Sequence, residues 1–570
     1  MLFRKIALAA APLLLGACAT LPATTVAAPQ SGSAGLVSAA DPRAAEAGAE
    51  MLRRGGSATD AAIATMLALT VVEPQSSGIG GGGFFVRGTP DGEIATLDGR
   101  ETAPVGADGE WFIGPDGKPL PFMNAVISGL SVGVPGNIRL AEEAHRRYGK
   151  LEWAALFEPA TRLARDGWSL SERSREFLVR AKNRAAHQAE GRTLFYGADG
   201  EPLPAGTVLR NPQLAETLGQ LATRGPDWFY SGPNAAAIAG EVAAETPRQG
   251  AMTVADVTAY QGKERPEVCG DYRRYRICGM GPPSSGATTV YAILKQLERF
   301  DLGALGPRSP TFWHLFAESQ RLAYADRERY LADSDFVSVP VAGLTDPDYL
   351  ASRGALISPA RTLATVSAGT PAGVALAPPD GAEPTEAGTS HFVAIDGEGN
   401  AVSYTSTIEG SFGSGIMVGG YYLNNELTDF SFVPEVEGRV VANRVEGGKR
   451  PRSSMAPTLV YDPQGRLFMA VGAAGGGTIP VQVARALIGV IDFRLPLDGA
   501  LALPVLFSPG DTVSIEQGSA LEAMIPELQA LGHAQVTARE LPLKINAALR
   551  TPSGWVGAAD PRSEGAAVSE

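Results

Sequence analysis

The 570-residue sequence predicts an α+β fold whose strands pair in an antiparallel manner. Four segments up to residue 331 have the pattern of helices, and two strands separated by a five-residue turn follow at 392–407. Strands joined by such a short turn pair antiparallel, which argues against a doubly wound parallel sheet. Hydrophobic residues make up 44% of the chain and charged residues 19%, so a sizeable core can form and global disorder is excluded.

Capping and periodicity define four helices in the first part of the chain. Pro42 to Arg54 ends at a Gly-Gly pair, and the sequence from Ser57 to Asp60 has the S-x-x-D pattern that caps the next helix. That helix, Ala61 to Val72, carries no charge and is expected to be buried. Residues 138–148 and 310–331 predict two further helices, the second of them long and amphipathic.

A change in composition divides the chain near residue 388. Fourteen of the 22 residues from 367 to 388 are Ala, Pro or Gly, which predicts a mobile linker rather than a helix or a strand. Beyond it, Phe392 to Ile395 and Ala401 to Thr407 form the predicted hairpin. Strands at 458–461 and 467–471 and a helix at 481–491 complete the pattern.

Charge and cysteine content exclude several classes of function. The net charge of −13 argues against binding to nucleic acid, which requires clustered Lys and Arg. The three cysteines form no C-x-x-C pair and the five histidines are far apart in the sequence. A zinc, haem or iron–sulfur site is therefore not expected, and no cofactor is predicted.

The N-terminal residues predict export. Arg4 and Lys5 precede the apolar run Ile6 to Gly16, which at eleven residues is shorter than the roughly 20 that cross a membrane. The run leads into Leu-Gly-Ala-Cys at residues 15–18, which is similar to the bacterial lipobox, in which the cysteine, here Cys18, becomes the lipidated first residue. The alternative is an ordinary secretory signal cut near residues 17–28.

These features predict a lipoprotein signal peptide at residues 1–17 and a tether at residues 18–34. Ala19 in place of Asp resembles lipoproteins sorted to the outer membrane, so we expect an outer-membrane lipoprotein or a periplasmic protein of a Gram-negative bacterium. An exported protein can form disulfides, and eight residues that predict two strands and a turn separate Cys269 from Cys278. The alternative to a disulfide is two buried free thiols.

Two motif matches fail in their context. Gly78, Gly80 and Gly83 satisfy G-x-G-x-x-G, but a dinucleotide site requires a strand before the motif and a helix after it, and here the order is reversed. Residues 129–133 satisfy G-x-S-x-G, yet no histidine has the context of a triad partner. We therefore favour neither a nucleotide site nor a serine hydrolase.

The string Gly388-Thr389-Ser390-His391 meets the chemical requirements of an N-terminal nucleophile. A threonine hydroxyl needs a base, and a free α-amine, with a pKa of about 7.7–8.0, can accept its proton near neutral pH. Thr389 gains that amine only if the Gly388–Thr389 bond is cut, by attack of its own hydroxyl on the Gly388 carbonyl and hydrolysis of the resulting ester. The alternative is a surface threonine that opens a strand.

The surrounding sequence resembles the γ-glutamyltransferase (glutathione hydrolase) family of the Ntn-hydrolase superfamily. Matching strings follow the family's order from about residue 35 to about residue 563; they are 78–84, 98–104, 129–136, 281–286, 389–391, 423–426 with 429–431, 449–457, 475–476 and 559–562. Each string is modest alone, and together in order they are highly specific. The resemblance implies a four-layer αββα sandwich, one integrated unit formed by the two chains of a self-cutting proenzyme.

The resemblance also implies roles for single residues. Thr389 maps onto the nucleophile that takes the γ-glutamyl group, and Thr407 maps onto a second threonine that supports it across the hairpin. Arg100 maps onto the arginine that holds the substrate α-carboxylate, as a bidentate guanidinium can. The other matches are Glu426 and Asp429 for the α-ammonium, Ser453 and Ser454 for the carboxylate, and Gly475 and Gly476 for the oxyanion-hole N–H groups. Taken singly, each of these residues also has an ordinary structural interpretation as an ion-pair, turn, capping or loop residue.

Some departures from the family pattern bear on specificity. Glu409 stands where many members have Asn in the amine-binding set, Thr428 replaces an Asp, and Ala473-Ala474 replaces Ser-Pro before the glycine pair. Residues 435–448 contain no aromatic residue, so the tyrosine-bearing lid of some members is expected to be absent. These departures resemble the branch that includes cephalosporin and glutaryl acylases, where an open site should admit bulkier acyl groups and water.

The sequence thus predicts a metal-free, self-processing hydrolase or transferase of γ-glutamyl amides such as glutathione. A γ-glutamyl ester on Thr389 would be resolved by water or by an amino-acid or peptide amine. The predicted large subunit is 35–388 and the small catalytic subunit is 389–570, associated as a heterodimer. Two alternatives are an acylase of the same fold acting on glutaryl-type amides such as β-lactam side chains, and a non-catalytic surface lipoprotein.

Overall fold

The structure of the protein, a computed structural model, describes residues 35–374, 378–379, 381 and 388–570. The predicted signal peptide, the tether with Cys18 and ten of the 22 residues of the predicted linker lie outside these residues. Within the described ranges, no helix combines the length and the apolar character that a membrane crossing needs.

Runs of helices and runs of strands follow one another along the described chain. The strands are β1 (Leu36–Ala39), β2 (Gly82–Gly88), β3 (Ile94–Asp98), β4 (Trp168–Ser169), β5 (Val208–Leu209), β6 (Lys263–Glu264), β7 (Val268–Tyr272), β8 (Tyr275–Gly279), β9 (Ser390–Ile395), β10 (Ala401–Thr407), β11 (Met417–Val418), β12 (Tyr421–Tyr422), β13 (Glu435–Val436), β14 (Arg439–Val440), β15 (Thr458–Tyr461), β16 (Leu467–Ala474), β17 (Leu506–Phe507), β18 (Thr512–Glu516), β19 (Gln535–Arg539), β20 (Lys544–Thr551), β21 (Gly554–Ala559) and β22 (Ala566–Ser569). The helices are α1 (Pro42–Arg53), α2 (Ala58–Val72), α3 (Phe122–Val126), α4 (Asn137–Tyr148), α5 (Glu158–Asp166), α6 (Glu172–Arg180), α7 (Lys182–Ala185), α8 (Ala189–Phe195), α9 (Pro212–Arg224), α10 (Asp227–Tyr230), α11 (Gly232–Ala244), α12 (Val254–Ala259), α13 (Gly286–Leu297), α14 (Leu302–Leu305), α15 (Pro310–Tyr330), α16 (Val341–Leu344), α17 (Pro347–Gly354), α18 (Ile479–Ile491), α19 (Leu497–Leu501) and α20 (Ile525–Ala530).

The helix and strand predictions are confirmed except in one respect. Ser57 and Asp60 exchange the reciprocal hydrogen bonds of a capping box at the start of α2, and every residue of that helix is buried. The prediction that α15 is amphipathic was wrong, because most of its polar side chains are buried as well. They are satisfied inside the protein: Arg321 pairs with Glu318, and Gln320 donates to the Leu506 carbonyl.

Two antiparallel sheets form the centre of the molecule. One has the strand order β22-β1-β9-β10-β2-β3-β6, and the other has the order β21-β20-β16-β15-β8-β7. Side chains along β9 alternate between two cores, as a pleated strand requires. Phe392 and Ala394 pack with α1 and α2, whereas Val393 and Ile395 pack with residues of the second sheet.

Helices cover the outer faces of both sheets. Helices α1, α2 and α4 contact the seven-stranded sheet, while α13 and α18 contact the six-stranded sheet and α15 packs on α13. The two sheets contact each other through β9 and β10 on one side and β16 and β20 on the other. The predicted four-layer αββα sandwich is therefore the fold of the described chain.

The predicted cut at residues 388–389 passes through the interior of this sandwich. Strand β9 begins one residue after Thr389 and pairs with β1, and β10 pairs with β2. In the other sheet, β15 pairs with β8. Both sheets therefore contain strands from before and after the cut.

The β7–β8 hairpin at the edge of the six-stranded sheet carries the two cysteines of the described chain. Cys269 and Cys278 are direct register partners, and a disulfide joins them. The predicted arrangement of two strands and a turn is what brings the two residues together.

Candidate active site

Thr389 lies directly before the central strand β9, and its side chain is buried. Its hydroxyl donates to the Thr407 hydroxyl over 3.1 Å, and the Thr407 oxygen also accepts from the Glu409 N–H over 2.7 Å. The hairpin register explains the contact between the two hydroxyls, because Ser390 pairs with Ser406, and Thr389 and Thr407 occupy the next pair of opposed positions. The structure thus brings together the predicted nucleophile and its predicted support.

The backbone at the predicted cut is constrained. Thr389 has a φ of 92°, a conformation that β-branched residues rarely adopt. Its N–H donates to the Ser76 carbonyl over 3.1 Å. A Cβ on Gly388 would collide with the Glu409 carbonyl oxygen, so only glycine fits there. Backbone strain of about 1–3 kcal/mol therefore lies beside the bond that is predicted to be cut.

Arg100, Glu426 and Asp429 form one buried ionic cluster. The guanidinium binds both carboxylates, and all three side chains are 1–4% exposed. It also donates to the carbonyls of Pro451 and Arg452, over 3.2 and 2.8 Å. The cluster contains one cation and two anions, and the buried Oε2 atom of Glu426 has no hydrogen-bond partner among the residues that the structure describes. A substrate with an α-carboxylate and an α-ammonium offers the same charges in the opposite places, which suits an exchange of partners.

Glu409 is hydrogen-bonded to the Thr407 hydroxyl and to Asn425, which directly precedes Glu426 of this cluster in the chain. The Glu409 carboxylate accepts from the Asn425 amide, whose oxygen accepts from the Gly410 N–H over 2.9 Å. Burial lowers the pKa of the nearby Arg184 guanidinium, and the negative charge of Glu409 opposes this shift. Asn425 lies in one of the matching strings, yet no role was predicted for it.

Ser453 and Ser454 lie directly after Arg452, beside the ionic cluster. The Ser454 hydroxyl accepts from the Arg327 guanidinium over 2.7 Å. The Ser453 carbonyl accepts from both the N–H and the hydroxyl of Ser285, each over 2.7 Å. These bonds tie the matching strings at 281–286 and 449–457 together.

Gly475 and Gly476 follow β16 with φ values of 127° and 57°, which glycine adopts without strain. The residue before them, Ala474, is the register partner of Lys544 on β20. Lys544 in turn reaches the Thr389 carbonyl, with Nζ 3.4 Å from the oxygen. The glycine pair is therefore at the nucleophile end of the second sheet, where an oxyanion hole is predicted.

A cavity of about 1410 Å³ opens beside this glycine turn. Its apolar lining includes Phe177, Tyr324, Phe507 and Leu543, and Arg173 and Arg539 are among its charged residues. Its volume exceeds what a small amino-acid leaving group would fill. Residues 433–440, in the region where a lid was expected to be absent, form the short β13–β14 hairpin, and Val440 is exposed.

Two titratable side chains next to the site are held neutral by burial. Burial lowers the pKa of His391 to about 3, so its ring is uncharged at neutral pH. His391 Nδ1 is 2.8 Å from the Thr405 hydroxyl. Burial also raises the pKa of Glu101 to about 8, although the charge of Arg100 opposes the shift.

The failed motifs have structural roles. The Ser131 hydroxyl is buried and donates to the carbonyls of Val126 and Ser128, so it is not placed as a free nucleophile. The glycine run lies between α2 and β2, and a Cβ on Gly80 or Gly81 would collide with the carbonyls of Tyr422 or Thr407. The run thus allows the hairpin that carries Thr407 to pack closely.

Sequence reasoning missed two charged residues at the nucleophile. Lys544 and Glu73 are both buried and form an ion pair beside Thr389 and Ser390. The available signal was a lone lysine in the apolar sequence that forms β20. Glu73 follows directly after α2 and has no comparable signal.

Comparison with known proteins gives consistent matches over most of the chain. The family model described as γ-glutamyltranspeptidase matches residues 44–569. The "Glutathione hydrolase proenzyme" of Bacillus subtilis (strain 168) is 36% identical over 515 residues, which are 88% of this chain and 85% of that protein. The "Acylase ACY 1 proenzyme" of Pseudomonas sp. (strain SE83) is 34% identical over 551 residues, 95% and 94% of the two chains. The crystal structure of cephalosporin acylase from Bacillus halodurans superimposes with a TM-score of 0.83 at 25% identity, covering 97% of this chain and 99% of that one.

Proposed function

The chain belongs to the γ-glutamyltranspeptidase family and is an enzyme of that type, and we propose that it is a self-processing hydrolase and transferase of γ-glutamyl amides such as glutathione. The observation that carries the proposal is the buried Thr389–Thr407 hydroxyl pair. Hydrogen bonds link this pair to Glu409 and then to Asn425, which directly precedes Glu426 of the Arg100 cluster in the chain. A nucleophile and a recognition site for a zwitterion are the two parts that this reaction needs.

Self-cleavage is the proposed first step. The Thr389 hydroxyl attacks the Gly388 carbonyl carbon, the C–N bond breaks, and the proton passes to the departing nitrogen. Water then hydrolyses the ester, which leaves a carboxylate on Gly388 and a free α-amine on Thr389. The proposed products are a large subunit that ends at Gly388 and a small subunit of residues 389–570.

Turnover uses the same hydroxyl with the new amine as its base. The amine takes the hydroxyl proton as Oγ attacks the γ-carbonyl, and the N–H groups of Gly475 and Gly476 stabilise the oxyanion. One such donor typically contributes about 2.7–4 kcal/mol to the transition state. The leaving amine takes the proton, and water or an acceptor amine then releases the γ-glutamyl group from its ester. Arg100 would hold the substrate α-carboxylate while Glu426 and Asp429 hold the α-ammonium.

Replacing the nucleophile tests the proposal. Thr389→Ala should give a single full-length band on a denaturing gel and no turnover of a γ-glutamyl anilide. Thr223→Ala is the control, because Thr223 is exposed and bonds only within its own helix. It should be cut and should turn over substrate like the wild type. A Thr389→Ala protein that is cut would refute the assignment of the nucleophile.

An acylase acting on glutaryl-type amides is the second candidate. It is favoured by Glu409 in the amine-binding set, by the large cavity beside Gly475 and by the similarity to the acylase relatives. Rates on a γ-glutamyl anilide and a glutaryl anilide, measured on one preparation, separate the candidates. Turnover of only the glutaryl compound would overturn our choice of substrate.

We propose in addition that the protein is exported and anchored by a lipid on Cys18. The support is the sequence of the first 18 residues, which lie outside the described structure. Intact mass and N-terminal sequencing of the purified protein provide the test. We expect an acylated large chain that begins at Cys18 and a small chain that begins at Thr389. An unmodified chain that begins downstream of Cys18 would refute the lipid anchor.

A further inference from the structure

Lys544 and Glu73 form a buried ion pair against the backbone of the nucleophile, and we propose that this pair positions Thr389 and keeps its α-amine in the neutral, basic form. Lys544 is then a positioning residue that acts through Thr389. The inference rests on the proposed function, because it requires Thr389 to become an N-terminus.

The geometry joins three layers of the fold at one point. Lys544 Nζ, on β20, lies 2.6 Å from Glu73 Oε2, 3.2 Å from the Ser390 hydroxyl and 3.4 Å from the Thr389 carbonyl oxygen. Glu73 stands at the end of α2, and its Oε2 also accepts from the Ser390 hydroxyl over 2.6 Å. The ammonium therefore contacts Thr389 itself, whereas the carboxylate contacts the residue after it.

This contact remains when the chain is cut. Cleavage at residues 388–389 removes the covalent restraint on the N-terminal side of Thr389. Its N–H bond to the Ser76 carbonyl, its hydroxyl bond to Thr407 and its carbonyl contact with Lys544 then hold the residue in place. An ammonium that binds this carbonyl restrains rotation about the Cα–C bond, and so helps to keep the whole residue, with its new amine, in place beside Thr407.

A buried ion pair stabilises a protein core poorly, because its charges must be desolvated. Moving each charge out of water costs several kcal/mol, and apolar replacements of buried ion pairs are often more stable. The two side chains are only 6% and 4% exposed. Their hydrogen bonds converge on Thr389 and Ser390, so the pair provides what an apolar contact cannot: a fixed positive charge beside the nucleophile.

That charge opposes protonation of the α-amine. A cation disfavours a second cation nearby, and the effect is strong where water is excluded. The charged groups that act on Lys544 are Glu73 at the end of α2, Arg173 on α6 and Asp41 before α1. On the other side of Thr389, Glu409 packs against Gly388, and its charge acts on Arg184. Burial lowers the pKa of Lys544, Arg173 acts in the same direction, and Glu73 and Asp41 oppose it.

Charge substitutions in the processed enzyme test the inference. The variants are Lys544→Met, Glu73→Gln and the double variant, with Lys544→Arg as the conservative replacement. Removing the cation should raise the pH midpoint for acylation of the Thr389 α-amine by about one unit, and removing the anion should lower it. The double variant should have a midpoint above the wild-type value but below that of Lys544→Met, because the ammonium contacts Thr389 itself and the carboxylate contacts the next residue. Lys544→Arg should preserve the wild-type midpoint. The acid limb of kcat should move in the same directions.

Lys449→Met is the matched control, because Lys449 is also fully buried and pairs with a glutamate, Glu446, elsewhere in the fold. It should leave the midpoint unchanged. If Lys544→Met does not fold, Glu73→Gln and the double variant still give opposite predictions. Midpoints that stay at the wild-type value in both Lys544→Met and Glu73→Gln would overturn the inference.

The labelling experiment separates failure of this inference from failure of the proposed function. Competitive acylation of the α-amine requires only the cut at Thr389 and no substrate. A wild-type protein without an N-terminal Thr389 would refute the proposed function. A cut protein whose amine titrates identically in all variants would refute only the role of the ion pair.

Discussion

Gly388 is the residue at which local sterics bear most directly on processing. An alanine Cβ there would collide with the Glu409 carbonyl, and Thr389 already has a φ of 92°. Gly388→Ala should therefore displace the scissile carbonyl from the Thr389 hydroxyl and slow self-cleavage at least about tenfold, as a misplaced reacting atom does. A time course on denaturing gels measures the rate.

Gly397→Ala is the control for this prediction. A Cβ on Gly397 meets nothing within 4 Å, and the residue lies in the turn between β9 and β10. This variant should be cut at the wild-type rate. Equal rates in Gly388→Ala and the wild type would show that the steric contact does not govern the reaction.

Glu101 makes stability depend on pH. It is fully buried, and burial raises its pKa to about 8. The unfolded carboxyl has a pKa of about 4.3, so folding takes up a proton between these values and stability falls by ~1.4 kcal/mol per pH unit as the pH rises. Glu101→Gln removes this titration. The difference between the Tm of this variant and the Tm of the wild type should increase steadily, in favour of the variant, from about pH 5 to pH 8. A Tm difference that does not change with pH would contradict the assignment.

The residues of the candidate site could be identified from the sequence, but the pairing of their charges could not. Thr389, Arg100 and Glu426 were identified from ordered strings. That Arg100 would bind Glu426, 326 positions away in the sequence, depends on long-range packing. Lys544 and Glu73 were missed because a buried charge has no local pattern of its own.

At the scale of single elements, the sequence rules for helix caps and turns predicted the features that depend only on neighbouring residues. The capping box of α2 and the turn between β9 and β10 are local, and both are present. The amphipathic prediction for α15 failed because periodicity does not reveal that a helix is covered on several sides. Its polar residues would form a solvent-exposed face in an amphipathic helix, but here they are buried, as in the Arg321–Glu318 pair.

The disulfide of the β7–β8 hairpin should contribute to stability and not to activity. Its disulfide closes a loop with a sequence separation of nine. The loop-entropy relation gives about 2.5–3 kcal/mol for a loop of this size, so Cys269→Ser/Cys278→Ser should lower the Tm by several degrees. The hairpin is at the edge of the six-stranded sheet, separated from β16 by β15, so kcat should not change. A reducing agent should lower the wild-type Tm and leave the variant unaffected; no effect on the wild type would argue against the bond.

At the scale of the whole molecule, the family resemblance predicted what local patterns could not. The layer order and the pairing of β1 with β9 depend on contacts between distant segments, which periodicity does not encode. The resemblance conveyed this order because its matching strings lie at the points where the segments meet. Gly80, Gly81 and the Ser453–Ser285 contact are examples.

The interleaved sheets predict that the two processed chains stay together as one cooperative body. Three interfaces of the seven-stranded sheet and one of the six-stranded sheet join strands from opposite sides of the cut: β22–β1, β1–β9, β10–β2 and β15–β8. These interfaces are continuous with the hydrophobic cores, so screening of surface charge by salt should not separate the chains. The cut protein should elute as a single species in size exclusion with ~1 M NaCl and unfold in one transition, with both chains released together in denaturant. Chains that separate in salt, or a small chain that unfolds at a lower denaturant concentration than the large one, would contradict this view of the fold.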